Sequence, residues 1–157
     1  MVFGWRGGFV PSSYIIRECL DMEVISWMCE MTLTDDPPIA EYLLEHGQWW
    51  VAIHREQGYA GYGGLYVDGN QAELVSAGVL PGHRGHGLQL RLIRRRVQAA
   101  RAEGYVELVV THTAAYNIHS QKNLILAGFR PTLHEVVDCG PALGGETGFI
   151  HWQKDLT

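Results

Sequence analysis

Glu73-Leu74-Val75-Ser76-Ala77-Gly78-Val79-Leu80-Pro81-Gly82-His83-Arg84-Gly85-His86-Gly87-Leu88-Gln89 is the stretch that decides the fold. A strand runs to Val79, Pro81 ends it, and a glycine-rich turn leads into a helix. Leu88, Leu92, Val97 and Ala100 recur near helical spacing, with Arg91, Arg94, Arg95 and Arg101 between them, and Gly104 closes the helix. Gly85 and Gly87 admit positive φ and put no Cβ into the turn. The freed backbone N–H groups and the positive end of the helix then converge on one spot, a pyrophosphate cradle made of backbone. The order G-x-x-x-x-G-K-[ST] of a P-loop is absent, no Lys lies near, and G-x-G-x-x-G does not occur.

Outward from this stretch, Ala72 to Val79 is the strand entering the turn. Asp68-Gly69-Asn70 marks a hairpin that pairs it with Gln57 to Val67. Trp49 to Ile53 is aromatic and β-branched, a further strand, and Tyr14 to Glu18 is a short first one. Asp21 is the candidate N-cap of a helix reaching about Met31. Thr34-Asp35-Asp36-Pro37-Pro38 breaks the chain, and Ile39 to Glu45 is a short helix ending near Gly47. The first half therefore predicts an antiparallel meander. Downstream, Val106 to Val110 is an apolar run typical of a strand buried on both faces. Asn117 to Ala127 is a helix closed by Gly128, Phe129 begins another strand, and Thr147 to Trp152 alternates as the last. No repeat or linker divides residues 1–157, which read as one domain, with residues 1–13 as a loose arm or an extra edge strand.

Val79-Leu80-Pro81 followed by Arg84-Gly85-His86-Gly87-Leu88-Gln89 resembles the signature of the GNAT superfamily of N-acetyltransferases, a strand ending V-x-P and then R/Q-x-x-G-x-G/A at a helix head. Gln89 stands where the family has a small residue. A second match is Asn117, Ser120 and the pair Gly128-Phe129, and the resemblance spans roughly Tyr14 to Trp152. It implies an α/β (α+β) fold, with a central mixed, mostly antiparallel sheet of about six to seven strands and flanking helices. It also implies that acetyl-CoA binds along Val79, Leu80, Arg84, Gly85, His86, Gly87, Leu88 and Gln89, with Asn117 and Ser120 beside the pantetheine arm. In this fold the Val79 strand and the Val106 to Val110 strand are parallel neighbours that splay apart. The gap exposes backbone groups that no ladder satisfies, and pantetheine pairs with them as an added strand would.

An amine attacks a thioester only when neutral, so a base is needed, with a donor for the carbonyl oxygen. Glu73 resembles the water-mediated base of several GNAT subfamilies. Alternation puts Glu73, Val75, Ala77 and Val79 on one strand face. Six residues at ~3.4 Å place Glu73 roughly 20 Å from Val79, so contact requires a bulge, a bend or an upstream acceptor. The backbone N–H of Val79 is a candidate donor to the thioester carbonyl. Many members carry a Tyr acid where this chain has Leu124, which leaves His112, His119 and Tyr116 as substitutes, His112 first. One of Arg94, Arg95 and Arg96 is a candidate for the 3′-phosphate of CoA. Trp49, Trp50, Tyr59, Tyr62 and Tyr66 are candidates either for an acceptor pocket wall or for the core.

Formal net charge is −5, which argues against a broad nucleic-acid footprint and suits a cationic amine acceptor. No apolar run approaches the ~20 residues of a bilayer span and the first residues lack a signal-peptide core, so a cytoplasmic, membrane-free protein is expected. Cys19, Cys29 and Cys139 show no CxxC spacing and read as buried free thiols. Among the eight histidines, His83 and His86 share a loop with no helical face, so no metal is expected. The expected partners are acetyl-CoA and an amine, with a homodimer left open. The acceptor, small molecule or peptide, is not legible. The competing expectation is a catalytically degenerate GNAT domain that binds acyl-CoA as a sensor or scaffold.

Overall fold

The hairpin at Gly69-Asn70 forms as expected and builds the centre of the sheet. There β3 (Gly58–Asp68) turns back as β4 (Gln71–Val79). The computed structural model describes residues 12–32, 38–138 and 146–157. In chain order the other elements are β1 (Tyr14–Glu18), α1 (Met22–Thr32), α2 (Glu41–His46), β2 (Gln48–His54), α3 (Leu88–Ala102), β5 (Leu108–Ala114), α4 (Ile118–Leu126), β6 (Arg130–Asp138) and β7 (Glu146–Asp155). Among the described residues the strands form one seven-stranded sheet in the order β1-β2-β3-β4-β5-β7-β6. Every pairing is antiparallel except β4 with β5.

Two apolar clusters form on the sheet. Ala72 and Leu74 share one with Leu88, Leu92, Ile93, Val97 and Ala100 of α3 and Leu124 of α4. Val75 joins Ile25, Met28 and Cys29 of α1 in the other, with Leu43 and Leu44 of α2 packed against it. Adjacent residues of β2 divide between them: Trp50 and Ala52 belong to the first, Trp49 and Val51 to the second. Both tryptophans are 1% exposed and Tyr62 is fully buried, so these three are core rather than pocket wall. Tyr59 and Tyr66 remain accessible, and the Tyr66 hydroxyl lies 2.6 Å from that of Tyr42 on α2. Asp21 caps α1 as expected, accepting from the N–H of Glu23. Cys19 and Cys29 are buried free thiols, whereas Cys139 lies outside the described residues, as does most of the 1–13 arm.

Two expectations are corrected. Along β3 and β4, Gly63 pairs with Ala77 but Gly64 pairs with Val75, so Ser76 is an extra, bulged residue. A bulge reverses the face of every residue beyond it. Val79 therefore packs against the α3 core with Ala72 and Leu74, while Glu73 keeps the side of Val75. Glu73 and Val79 do not share a face. The second correction concerns β5, which spans 108–114 rather than 106–110. Val109 is fully buried, but Leu108 and Val110 are only half-buried, because α1 packs mainly on the β3–β4 part of the opposite face.

Gly64 tests the packing around the bulge. A Cβ there would lie 2.6 Å from the Trp49 ring. Gly64→Ala is expected to cost about 1–3 kcal/mol by overpacking, read as a lower urea midpoint at unchanged slope. An unchanged midpoint would contradict this packing.

Candidate active site

The turn between β4 and α3 has the geometry its glycines suggest. Gly85 and Gly87 adopt φ of 82° and 72°, and a Cβ on either would meet no atom within 4 Å. Gly87 is the N-cap of α3, in the left-handed region, with no side-chain cap and no acidic residue in the first turn. The helix thus leads with N–H groups that no side chain caps, facing open space, which suits an anion. α4 differs, because the Asn117 side chain accepts from the N–H of Ser120 at 3.1 Å.

The turn is braced from the edge strand. His83 is buried with Nδ1 2.9 Å from the Tyr14 hydroxyl, while His86 is exposed with its ring 5.3 Å from that of Tyr14. Arg91 donates to the Ser12 hydroxyl and to the Tyr14 carbonyl. Arg84 is exposed and its Nε donates to the Val79 carbonyl at 3.3 Å. His83 and His86 thus converge on an aromatic ring. Among the described residues no group of three or more His, Cys, Asp or Glu is placed to hold a metal.

Beside the turn the sheet opens. β4 and β5 pair only from Gln71 to Glu73, against Leu108 to Val110. One further contact, from the Thr111 hydroxyl to the Leu74 carbonyl at 3.0 Å, precedes the gap. β4 stays with β3, and β5 stays with β7 as far as Ala114. The Leu80 N–H donates to Ala60 of β3. Strand residues alternate the edge to which they present N–H and C=O, so Val79 and Ala77 present theirs to the gap. Val79 was expected there. Ala77, two residues back on the same edge and beyond the bulge, was not named as a candidate donor.

The two expected proton carriers come together at the closed end of the gap. Glu73 is level with Val110, and His112 is two residues on. His112 Nδ1 lies 4.0 Å from Glu73 Oε1, and the side chains are 54% and 41% exposed. Behind His112 stand Phe149 and His151, and His151 Nε2 lies 3.1 Å from Glu135 Oε2. His119 and Tyr116 are exposed at the head of α4, and Leu124 is buried in the core. Tyr66 is pushed up to about 12, first by its hydrogen bond with Tyr42, so it stays protonated at neutral pH.

Gln89 and the arginines have roles that the sequence did not suggest. Gln89 donates to the Ser120 hydroxyl at 2.9 Å and accepts from Asn123 at 3.0 Å, bolting α3 to α4. Arg94 is exposed and Arg95 lies over the Trp50 ring at 5.6 Å. Arg96 is buried among backbone carbonyls, so it does not face an exposed phosphate.

Residues 17–129 match the acetyltransferase (GNAT) family model. The chain belongs to the GNAT acetyltransferase family. No curated protein matches it. Solved structures show the same fold. A putative acetyltransferase of Salmonella typhimurium, yncA, with acetyl-CoA, is 19% identical, with a TM-score of 0.74 over 93% of this chain and 95% of that one. A Bacillus subtilis acetyltransferase in complex with CoA is 18% identical, with a TM-score of 0.75 over 92% and 99%. Arabidopsis thaliana NAA60 with a bisubstrate analogue is 13% identical, with a TM-score of 0.78 over 90% and 97%. Within this GNAT acetyltransferase, Asn117 is a helix cap in its own right. Asn117→Ala is expected to cost about 1 kcal/mol of stability and Asn117→Asp much less, compared by denaturant unfolding.

Proposed function

We propose that the chain transfers the acetyl group of acetyl-CoA to a primary amine of a small molecule or peptide. The observation that carries this reading is the uncapped N-terminus of α3, left-handed at Gly87, set beside two parallel strands that part after three pairs. Phosphate oxygens suit the helix end, and an amide-bearing arm suits the unladdered edge of β4. The open space before Gly85 and Gly87 accommodates the approach. Titration with acetyl-CoA and a panel of amines and peptides, read by product mass and thiol release, tests it.

Bound acetyl-CoA supplies an activated thioester carbonyl. The N–H groups of 85–88 hold the pyrophosphate, and Arg84 remains free to swing from Val79 towards it. The N–H and C=O groups of Ala77 and Val79 pair with the arm. Ala77 N–H is the better donor to the carbonyl oxygen, because it lies two residues nearer to Glu73 than Val79 does. Glu73 takes the ammonium proton through water, and His112 beside it passes the proton to solvent. The amine nitrogen bonds to the carbonyl carbon, the C–S bond breaks, and the second proton lost from the nitrogen passes through water to the departing thiolate, so that CoA leaves as the thiol.

One observation favours the second reading, a domain that binds acyl-CoA without transfer. Leu124 is 3% exposed and packed in the core at the place where the resemblance expects a tyrosine acid. Tight acetyl-CoA binding with no thiol release on any amine would select it.

Gly87→Val strains the turn and projects into the cradle. It is expected to weaken acetyl-CoA by about 2 kcal/mol, or roughly thirtyfold, by calorimetry on the folded variant. Unchanged affinity would remove the cradle. Glu73→Gln keeps the shape and loses the base. Its kcat should fall by about 10²-fold with acetyl-CoA affinity little changed. Near-full kcat from about pH 6 to 9 would transfer the role to His112.

A further inference from the structure

Arg96 lies on the core stripe of α3, between Leu92 and Ala100, where the helical pattern calls for an apolar residue. It is 2% exposed and, among the described residues, is the one arginine or lysine that is buried. No carboxylate pairs with it there. Burial lowers its guanidinium to about 10, with Tyr62 acting weakly the other way, so it stays charged at neutral pH. A buried cation without a counter-ion persists only where fixed dipoles replace its water.

Those dipoles are backbone carbonyls. Arg96 Nε donates to Leu92 at 3.1 Å, and Nη1 donates to Gly64 at 3.0 Å and to Val75 at 3.4 Å. Gly64 and Val75 are register partners, and they flank the step at which Ser76 leaves the ladder. Gly63 belongs to the same contact. A Cβ on it would come 2.9 Å from both Cζ and Nε of Arg96, so the guanidinium lies on a glycine that must stay bare.

We propose that Arg96 is a positioning residue that clamps the Ser76 bulge and so aims the Ala77 and Val79 amides into the gap between β4 and β5. A bulge leaves carbonyls off the ladder, and a fork of N–H donors is the group that ties two of them at once. The clamp and the cradle share one helix. Gly87 and Arg96 are nine residues apart, ~13 Å of helix. α3 thereby fixes the spacing between the end that meets the phosphates and the edge that meets the arm. What the gap binds rests on the function proposed above; the clamp itself does not.

The test pairs two variants with two ligands and one ligand-free measurement. Arg96→Met fills the same volume with an apolar chain, and Gly63→Ala disturbs the same contact from the strand side while keeping the charge. Calorimetry compares acetyl-CoA with 3′-phosphoadenosine 5′-diphosphate, which carries the phosphates without the arm. Both variants should bind acetyl-CoA at least tenfold more weakly and the nucleotide within about twofold of wild type. Without ligand, the backbone amide resonances of Ala77 and Val79 should shift in both variants, with those at Gly85 and Gly87 unmoved. Equal loss of both ligands, or unmoved Ala77 and Val79 resonances in a folded variant, overturns the clamp. A wild-type protein that binds neither ligand would instead overturn the proposed function, and the amide resonances would still decide the clamp. Should Arg96→Met not fold, Gly63→Ala carries the same readouts.

Discussion

Everything distinctive in this molecule depends on two parallel strands that part after three residues. β4 and β5 separate because each is committed to its other neighbour, β4 to β3 and β5 to β7, while one bulged residue bends β4. A strand edge inside a sheet normally has no free hydrogen-bonding groups. Here the parting leaves such an edge next to an uncapped helix end, and the two differ in chemistry. The helix end offers clustered N–H groups, whereas the edge offers donors and acceptors in alternation. One elongated ligand with an anionic end and an amide-bearing arm satisfies both.

Much of this was legible in the sequence because it rests on local chemistry. Asp68-Gly69-Asn70 could hardly be anything but a hairpin, and the apolar stripe from Leu88 to Ala100 marked α3. Gly85 and Gly87 adopt the positive φ that motivated the cradle. The meander of β2 to β4 followed from strand composition and short connections, and β1 joins it from beyond α1 and α2. Glu73 and His112, chosen separately, stand 4.0 Å apart, because adjacent parallel strands bring them to the same end of the gap.

What was not legible depended on single residues whose effect is not local. Strict alternation is a good rule until one residue drops out of register, and nothing about Ser76 announces that it will. The apolar run before His112 looked doubly buried, yet which face of β5 is covered depends on where α1 comes to rest. Gln89 looked like a flaw in a phosphate motif and is a bolt between helices. Three consecutive arginines looked equivalent, but helical rotation gives each a different fate: Arg94 meets solvent, Arg95 an indole and Arg96 the core.

Tyr14 belongs to the first strand of the sheet, and its partner His83 lies 69 residues further on. Closing so long a loop is entropically costly. On a ribosome, β1 emerges well before the turn it braces. The glycine turn has intrinsic freedom, and the contacts that brace it join the strand made first to a segment made later. The glycine turn at the head of α3 is thus tied to a strand from the far end of the first half of the chain. A ligand gripping it would act as a latch across the whole first half of the sequence.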